Sequence, residues 1–235
     1  ESALGQDCQI SFIISNKNGH SENKAHRHFQ LPLPNENLRL QHGRLFRKDF
    51  TFDSFVVGDN NDFAYSASLA MASRKDTQRN GLFLLSKTGL GKSHLSQAIA
   101  NHVLKSDPTL RVCYITAEEF TNAMIHALRH DKIEAFKEKY RRQCDVLLLE
   151  DVQFLSGKAK TQDEVAFTLD ALLEAKKKLI FTGTYLPGDI PKMDEKLTSR
   201  LSAGVISSIE SPDYATRVRI LKKKASRKEI DISED

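Results

Sequence analysis

Cysteine is scarce in this chain. Cys8, Cys113 and Cys144 are odd in number and none belongs to a CxxC pair, so neither a disulfide framework nor a zinc site is provided for, and a reducing, cytoplasmic compartment is expected. Long apolar runs are missing as well. No stretch approaches the roughly 18 residues that span a bilayer, and the opening Glu1-Ser2-Ala3 lacks the basic-then-apolar pattern of a signal peptide. Neither sign of charge dominates: the formal balance is +4 over 235 residues, which accommodates a nucleic-acid partner without requiring one. His20, His26, His28 and His42 crowd one polar stretch but have no carboxylate or thiolate cluster beside them, so that stretch reads as solvated chain rather than a metal centre.

What the chain does contain is enough apolar material, 40% of its residues, for one sizeable core with a small appendage. Residues 9–15 (QISFIIS) read as a short strand, and residues 16–47 as a flexible linker, being polar, interrupted by Pro32 and Pro34 and without periodicity. From Asp49 onward short apolar runs alternate with stretches of helical period, the pattern of an α/β domain. Strands are predicted at 82–85, 111–115, 146–149, 179–182 and 205–209, each short and apolar as strands buried on both faces should be. The fold class is therefore α/β, with a five-stranded parallel sheet between helices. Capping chemistry predicts helix starts at Thr116, three residues before Glu119; at Thr161, three before Glu164; and at Ser211, followed by Pro212. The basic stretch 215–228 is expected to be a packed helix with Val218, Ile220, Leu221 and Ala225 on its apolar face.

The run 82–85 leads straight into Ser86-Lys87-Thr88-Gly89-Leu90-Gly91-Lys92-Ser93-His94, and a helical stretch follows. Strand, glycine-rich loop and helix in that order make a phosphate-binding loop. Glycines let backbone N–H groups converge on phosphate oxygens, and the helix N-terminus adds a favourable dipole. Lys92 is placed for the β and γ phosphates and the Ser93 hydroxyl for Mg²⁺, with Gly89, Leu90, Gly91 and His94 completing the cradle. Ser86 stands where GxxxxGK[ST] has its first glycine, so the turn leaving the strand has either to tolerate a side chain or to adopt a costlier backbone conformation.

The run 145–151 is an apolar strand ending in Glu150 and Asp151, which brings two acids to the carboxyl edge of a parallel sheet, where ligands bind. Glu150 is the candidate Mg²⁺ ligand and Asp151 the group that orients or deprotonates an attacking water. Aspartate is commoner at the metal position, and the extra methylene of Glu150 shifts its carboxylate by roughly 1.5 Å, enough to disturb an octahedral shell. Glu118 is a third acid at the same edge, either catalytic or a first-turn complement to the helix dipole.

Phe50 to Gly58 (FTFDSFVVG), GLGKSHLSQAIAN, TAEEFTNAMIHALR, Phe136 to Arg141, EDVQFLSGKAKTQDE and Pro212 to Ala225, in this order, resemble the family of bacterial chromosomal replication initiators, DnaA, which are AAA+ ATPases. The resemblance runs from about Asp49 to Asp235. It implies a P-loop AAA+ fold over 48–235, preceded by a remnant of an N-terminal interaction domain (1–15) and a linker (16–47), with the helical lid and the helix-turn-helix domain of the family absent. It further implies that Val56, Val57 and Asn61 surround the adenine; that 117–142 is the initiator-specific helical insertion; and that Ile125, Lys158 and Lys160 contact single-stranded DNA. Arg200 aligns with an arginine finger that reaches a neighbouring subunit's γ phosphate, and Thr184 falls where an acidic sensor is usual.

The expected function is ATP/ADP and Mg²⁺ binding, head-to-tail self-assembly and opening of origin DNA, with a replicative helicase as a partner of the N-terminal domain. Ser86, Glu150 and Thr184 together point to a weak ATPase that binds nucleotide more firmly than it hydrolyses it. The alternatives are a divergent regulatory AAA+ module and a helicase loader.

Overall fold

The computed structural model describes residues 38–40, 45–73, 81–227 and 229–230. The strand predicted at 9–15 and most of the predicted linker lie outside the described residues. The last part of the predicted linker is different from expectation: β1 (Leu38–Leu40) and β2 (Leu45–Arg47) pair antiparallel, Leu38 opposite Arg47 and Leu40 opposite Leu45. Leu38-Arg39-Leu40 alternates apolar and polar residues, a strand period that the surrounding polarity obscures.

The main sheet is five parallel strands in the order β4-β5-β6-β3-β7: β3 is Gly81–Leu85, β4 Val112–Thr116, β5 Val146–Glu150, β6 Lys178–Gly183 and β7 Val205–Ser208. All five predicted strands are present, with ends within a residue or so of those expected. Strand pleating sorts their side chains onto two faces. Phe83, Cys113, Ile115, Leu147, Leu149, Leu179 and Phe181 pack on one side, with Phe120, Phe136, Tyr140, Leu169 and Leu197. Those partners come from α3 (Ala117–Arg129), α4 (Ile133–Lys137), the π-helical turn Glu138–Arg142, α5 (Ala159–Glu174) and α6 (Glu195–Leu201). Leu82, Leu84, Val112, Tyr114, Val146, Leu148 and Ile180 face the other way, onto Ala64 and Met71 of α1 (Asp62–Ser73) and Leu95, Ile99 and Val103 of α2 (Lys92–Ser106). This three-layer arrangement explains why the strands read as unbroken apolar runs.

Two predicted helix starts shift. Thr116 caps α3 in a reciprocal box with Glu119, as expected. Thr161, however, is buried inside α5, which begins at Ala159, and α7 (Tyr214–Ser226) is capped by Asp213, whose carboxylate accepts from Thr216 N, rather than by Ser211. Asp213 is a charged acceptor next to the helix dipole and outcompetes a hydroxyl two residues upstream. On α7, Thr216 and Ala225 are buried and Val218 and Ile220 half-buried, but Leu221 is exposed. At 3.6 residues per turn, 216, 220 and 223 share a face and Leu221 is turned away from it, while Ala225 is buried on the opposite side, one turn beyond Leu221. The inward face is fixed by Lys223, whose ammonium donates to Asp53 O at 2.6 Å and Phe55 O at 3.2 Å.

Asp145 ties the amino ends of three strands. Its carboxylate accepts from Arg111 N (2.9 Å) and Nε (3.0 Å) at the start of β4 and from Lys177 Nζ (2.7 Å) at the start of β6. Burial opposes the charge, but these donors outweigh it and hold the carboxyl well below the usual aspartate range. A depressed folded-state value means that the stability Asp145 contributes is complete above the ordinary value of about 3.9 and fades as pH falls through the lower folded-state value. Asp145→Asn is therefore expected to lower Tm by about 3–6 °C at pH 7, equivalent to about 1.5 kcal/mol. The gap from wild type should close on acidification below pH about 4 in thermal melts followed by circular dichroism.

Candidate functional site

β3 is flanked by β6 and β7, and the loop leaving its carboxyl end runs into α2. Gly89 and Gly91 have φ values of 84° and 110°, the left-handed region in which a Cβ is unfavourable. At Gly91 a side chain would also press on the Phe55 ring at 3.0 Å. These are the two positions where the loop needs glycine. Ser86 does not need it: it is absent from the positive-φ residues, it is buried, and its N–H donates to Gly183 O at 3.1 Å. The first-position departure thus costs no backbone strain.

Lys92 is buried and folds back over the loop, its ammonium donating to Ser86 O (2.7 Å), Lys87 O (3.1 Å) and Ser86 Oγ (3.3 Å). Among the described residues no carboxylate lies within ion-pair distance of it. Burial lowers its pKa, with Asp151 and Glu150 pulling the other way. A buried cation satisfied only by neutral oxygens is suited to receive an anion.

Glu150, two residues beyond Leu148, points by the strand pleat to the α2 side. Its Oε2 accepts from Ser93 Oγ at 2.9 Å and Tyr114 OH at 3.1 Å, and its Oε1 from Ser96 Oγ at 2.5 Å. Burial pushes its carboxyl up, against the opposing pull of the three hydroxyls. Ser93 and Glu150 together are a hard-oxygen pair of the kind that could hold a divalent cation alongside phosphates and water. Ser96 and Tyr114 complete the set of donors to the longer side chain. Neither was anticipated, although Ser96 lies one turn beyond Ser93 on the same helix face, and Tyr114 carries a polar tip in an otherwise apolar strand.

Asp151 adopts the left-handed conformation, φ 56° and ψ 51°. Its N–H donates to Thr182 Oγ1 at 3.0 Å, and its Oδ1 accepts from Gln153 Nε2 at 3.2 Å. The Gln153 Oε1 in turn accepts from Thr184 N at 3.3 Å. Gln153 therefore links the acid of the strand end to the position where the resemblance expects a sensor, a connection that sequence reasoning missed. A non-glycine residue held in this region next to a binding loop is strain stored at a site.

Glu118 is exposed in the first turn of α3, two residues beyond Thr116, which pairs in register with Glu150. Asn61 is buried, and its side chain bridges Val56 O (3.1 Å) and Gly58 N (3.0 Å), shaping the turn that carries Val56 and Val57. The His94 side chain is committed elsewhere: it stacks on Phe50 at 4.5 Å and contacts Thr51 O at 3.0 Å and Ser54 Oγ at 2.9 Å. Burial lowers its pKa, so it anchors residues 50–55 as a neutral ring and leaves only its backbone N–H for a phosphate. Leu90 is partly buried against the α1/α2 core.

The remaining predicted residues lie apart from the loop. Ile125 is exposed on α3, which packs against the short turn Val152–Leu155; that turn leads into half-buried Lys158 and exposed Lys160 at the start of α5. Arg200, on α6, is ion-paired through Nε with Asp170, which also receives Lys196 Nζ at 3.5 Å.

Residues 46–208 match the model of the bacterial DnaA ATPase domain. The chain is 59% identical over 197 residues to the chromosomal replication initiator protein DnaA of Desulfatibacillum aliphaticivorans, covering 84% of this chain and 43% of that protein. It thus spans less than half the length of such relatives. Domain III of the Thermotoga maritima replication initiation protein DnaA superposes with a TM-score of 0.77 at 38% identity, over 79% of this chain and 77% of that one. A replication initiator DnaA solved with AMPPCP and single-stranded DNA gives 0.73 at 32% identity, over 79% and 57%. A parallel AAA+ sheet, a lysine-bearing glycine loop and an acidic strand end thus coincide with a match over most of the sequence, and the chain belongs to the bacterial DnaA ATPase domain family.

Proposed function

We propose that this chain binds ATP with Mg²⁺ and uses the bound nucleotide to assemble head to tail on DNA, as the ATPase module of a replication initiator that opens origin DNA. The observation that carries the reading is the buried Lys92 ammonium, which has neutral oxygens around it, two left-handed glycines in front of it and the Ser93–Glu150 pair beside it. That arrangement suits a polyphosphate accompanied by a divalent cation. Ser93 and Glu150 would hold Mg²⁺, which would supply charge neutralisation to the phosphates. Val56, Val57 and Asn61 receive the base, and the N–H groups from Gly89 to His94 receive the phosphates.

In hydrolysis Asp151 orients the attacking water, with Glu118 as the alternative acid at the same edge, and Arg200 arrives from the next subunit. Thr184 brings no carboxylate to the sensor position and presents its backbone N–H to Gln153, which favours slow turnover and a long-lived ATP state. A heterologous contact of this kind need not close into a ring.

The DnaA structure solved with AMPPCP and single-stranded DNA supports both ligands here. Lys158 and Lys160 are assigned to the phosphate backbone and Ile125 to an apolar contact beside it. Fluorescence anisotropy with a labelled single strand tests this. Binding is expected to require ATP, and Lys158→Ala with Lys160→Ala is expected to weaken it about tenfold and reduce the salt slope by about one per lysine. A salt slope untouched by both substitutions would overturn the DNA assignment, and ATP-independent binding would overturn its coupling to the nucleotide.

A further inference from the structure

Glu150 is one methylene longer than the aspartate commoner at such a position, and the structure shows what that length reaches. One carboxylate oxygen meets Ser96 Oγ at 2.5 Å, and the other is shared by Ser93 Oγ at 2.9 Å and Tyr114 OH at 3.1 Å. The direction of the tyrosine proton is set by a chain of donors. Arg47 N–H donates to Gln97 Oε1 at 2.9 Å, which orients the amide, and Gln97 Nε2 then donates to Tyr114 OH at 2.8 Å. With that oxygen receiving a hydrogen bond, the phenolic proton turns to Glu150. Ser96 has a second acceptor in Ser93 O at 3.3 Å, but the shorter contact to a charged oxygen is the stronger. Ser96, Gln97, Tyr114 and Glu150 are all buried, where hydrogen bonds to a carboxylate hold geometry firmly. An aspartate here, shorter by roughly 1.5 Å, would fall away from both Ser96 and Tyr114.

We propose that Ser96 and Tyr114 are positioning residues for Glu150: their hydroxyls draw the longer acid back along the α2 face and hold one of its oxygens beside Ser93, so that a glutamate does the work of an aspartate toward Mg²⁺. The inference rests on the assignment of Ser93 and Glu150 to the metal. Outer hydrogen bonds of this kind orient a ligating carboxylate, and their loss commonly weakens metal affinity about 10- to 100-fold.

The test is a Mn²⁺ titration read by electron paramagnetic resonance in the presence of saturating AMPPCP, with nucleotide affinity in EDTA measured alongside. Ser96→Ala combined with Tyr114→Phe is expected to weaken Mn²⁺ about 10- to 100-fold and to leave metal-free AMPPCP affinity within about twofold of wild type. In a Glu150→Asp background the same pair should cost no more than about threefold, because the shorter acid does not reach either hydroxyl. Ser96→Thr, which keeps the hydroxyl, should bind Mn²⁺ like wild type. A merely structural role would lower Tm and leave the Mn²⁺ midpoint in place. That result, or an equal loss in the wild-type and Glu150→Asp backgrounds, overturns the proposal. Should the double variant fail to fold, each single substitution carries the same comparison, since either removes only one oxygen. Wild-type protein that takes up no Mn²⁺ with AMPPCP overturns the metal assignment itself, a result distinct from unaffected variants of a metal-binding wild type.

Discussion

Lys92→Ala is expected to weaken ATP and ADP binding about 100-fold or more, with little change in Tm. The size follows from losing two or three hydrogen bonds between a cation and phosphate oxygens, at about 1.5–3 kcal/mol each. The near-silence of the melt follows from the unliganded site. The ammonium is buried with only Ser86 O, Ser86 Oγ and Lys87 O as acceptors, and burial already lowers its pKa. Removing it deletes both a set of hydrogen bonds and the desolvation penalty of a charge. Lys92→Arg is not expected to rescue binding, because a planar fork cannot take the place of a compact ammonium folded back over the loop. Isothermal titration with ATP, with and without Mg²⁺, checks the prediction; unchanged affinity in Lys92→Ala would remove the phosphate from this loop altogether.

The second large effect is expected at Arg200. Arg200→Ala should leave ATP affinity intact and reduce assembly-dependent hydrolysis about 10³-fold, the range of an arginine finger. In the single chain the guanidinium lies on α6 with Nε against Asp170, and its side chain is 33% exposed. Pairing through Nε leaves the Nη edge for a neighbour's γ phosphate. A mixing experiment separates this from a fold defect. Lys92→Ala chains bear a finger but no nucleotide, and Arg200→Ala chains bear nucleotide but no finger. A mixture should regain hydrolysis that neither variant shows alone. Failure to regain any activity, with both variants folded and Arg200→Ala still binding ATP, would exclude a finger acting between chains.

The two predictions draw on different levels of organisation. The β3–loop–α2 unit is readable in the sequence because phosphate binding by backbone N–H groups is a local matter. A strand, two glycines and a helix start, contiguous in sequence, suffice, and Gly89 and Gly91 have the conformations that their identity implies. The strands are readable for an equally local reason: burial on both faces demands uninterrupted apolar residues, and Val146–Glu150 is buried throughout. Helix starts are less legible. Thr161 and Ser211 have the right side chains for caps, yet the helices begin at Ala159 and Tyr214, since packing of the flanking chain selects among nearby acceptors.

The surroundings of the site are the least legible part. His94 follows Ser93 in the first turn of α2, a place that points it to the nucleotide, but its ring stacks on Phe50. Gln153 joins Asp151 to Thr184, residues 33 apart in the chain, and nothing in its spacing announces it. Glu150 reads in the sequence as a departure at the candidate metal position, and nothing in its neighbours announces the three hydroxyls that donate to it.

By itself, then, the amino-acid sequence determined the layer architecture, the phosphate loop and the family, because each depends on residue types at short, regular spacing. Only the tertiary structure decided how the departures are accommodated. Ser86 sits without left-handed strain, and Glu150 accepts from Ser96 of α2 and Tyr114 of β4. The physical reason is that a buried carboxylate takes whatever donors the packed elements bring within about 3 Å, and that set is fixed by strand register and helix docking rather than by neighbours in the chain.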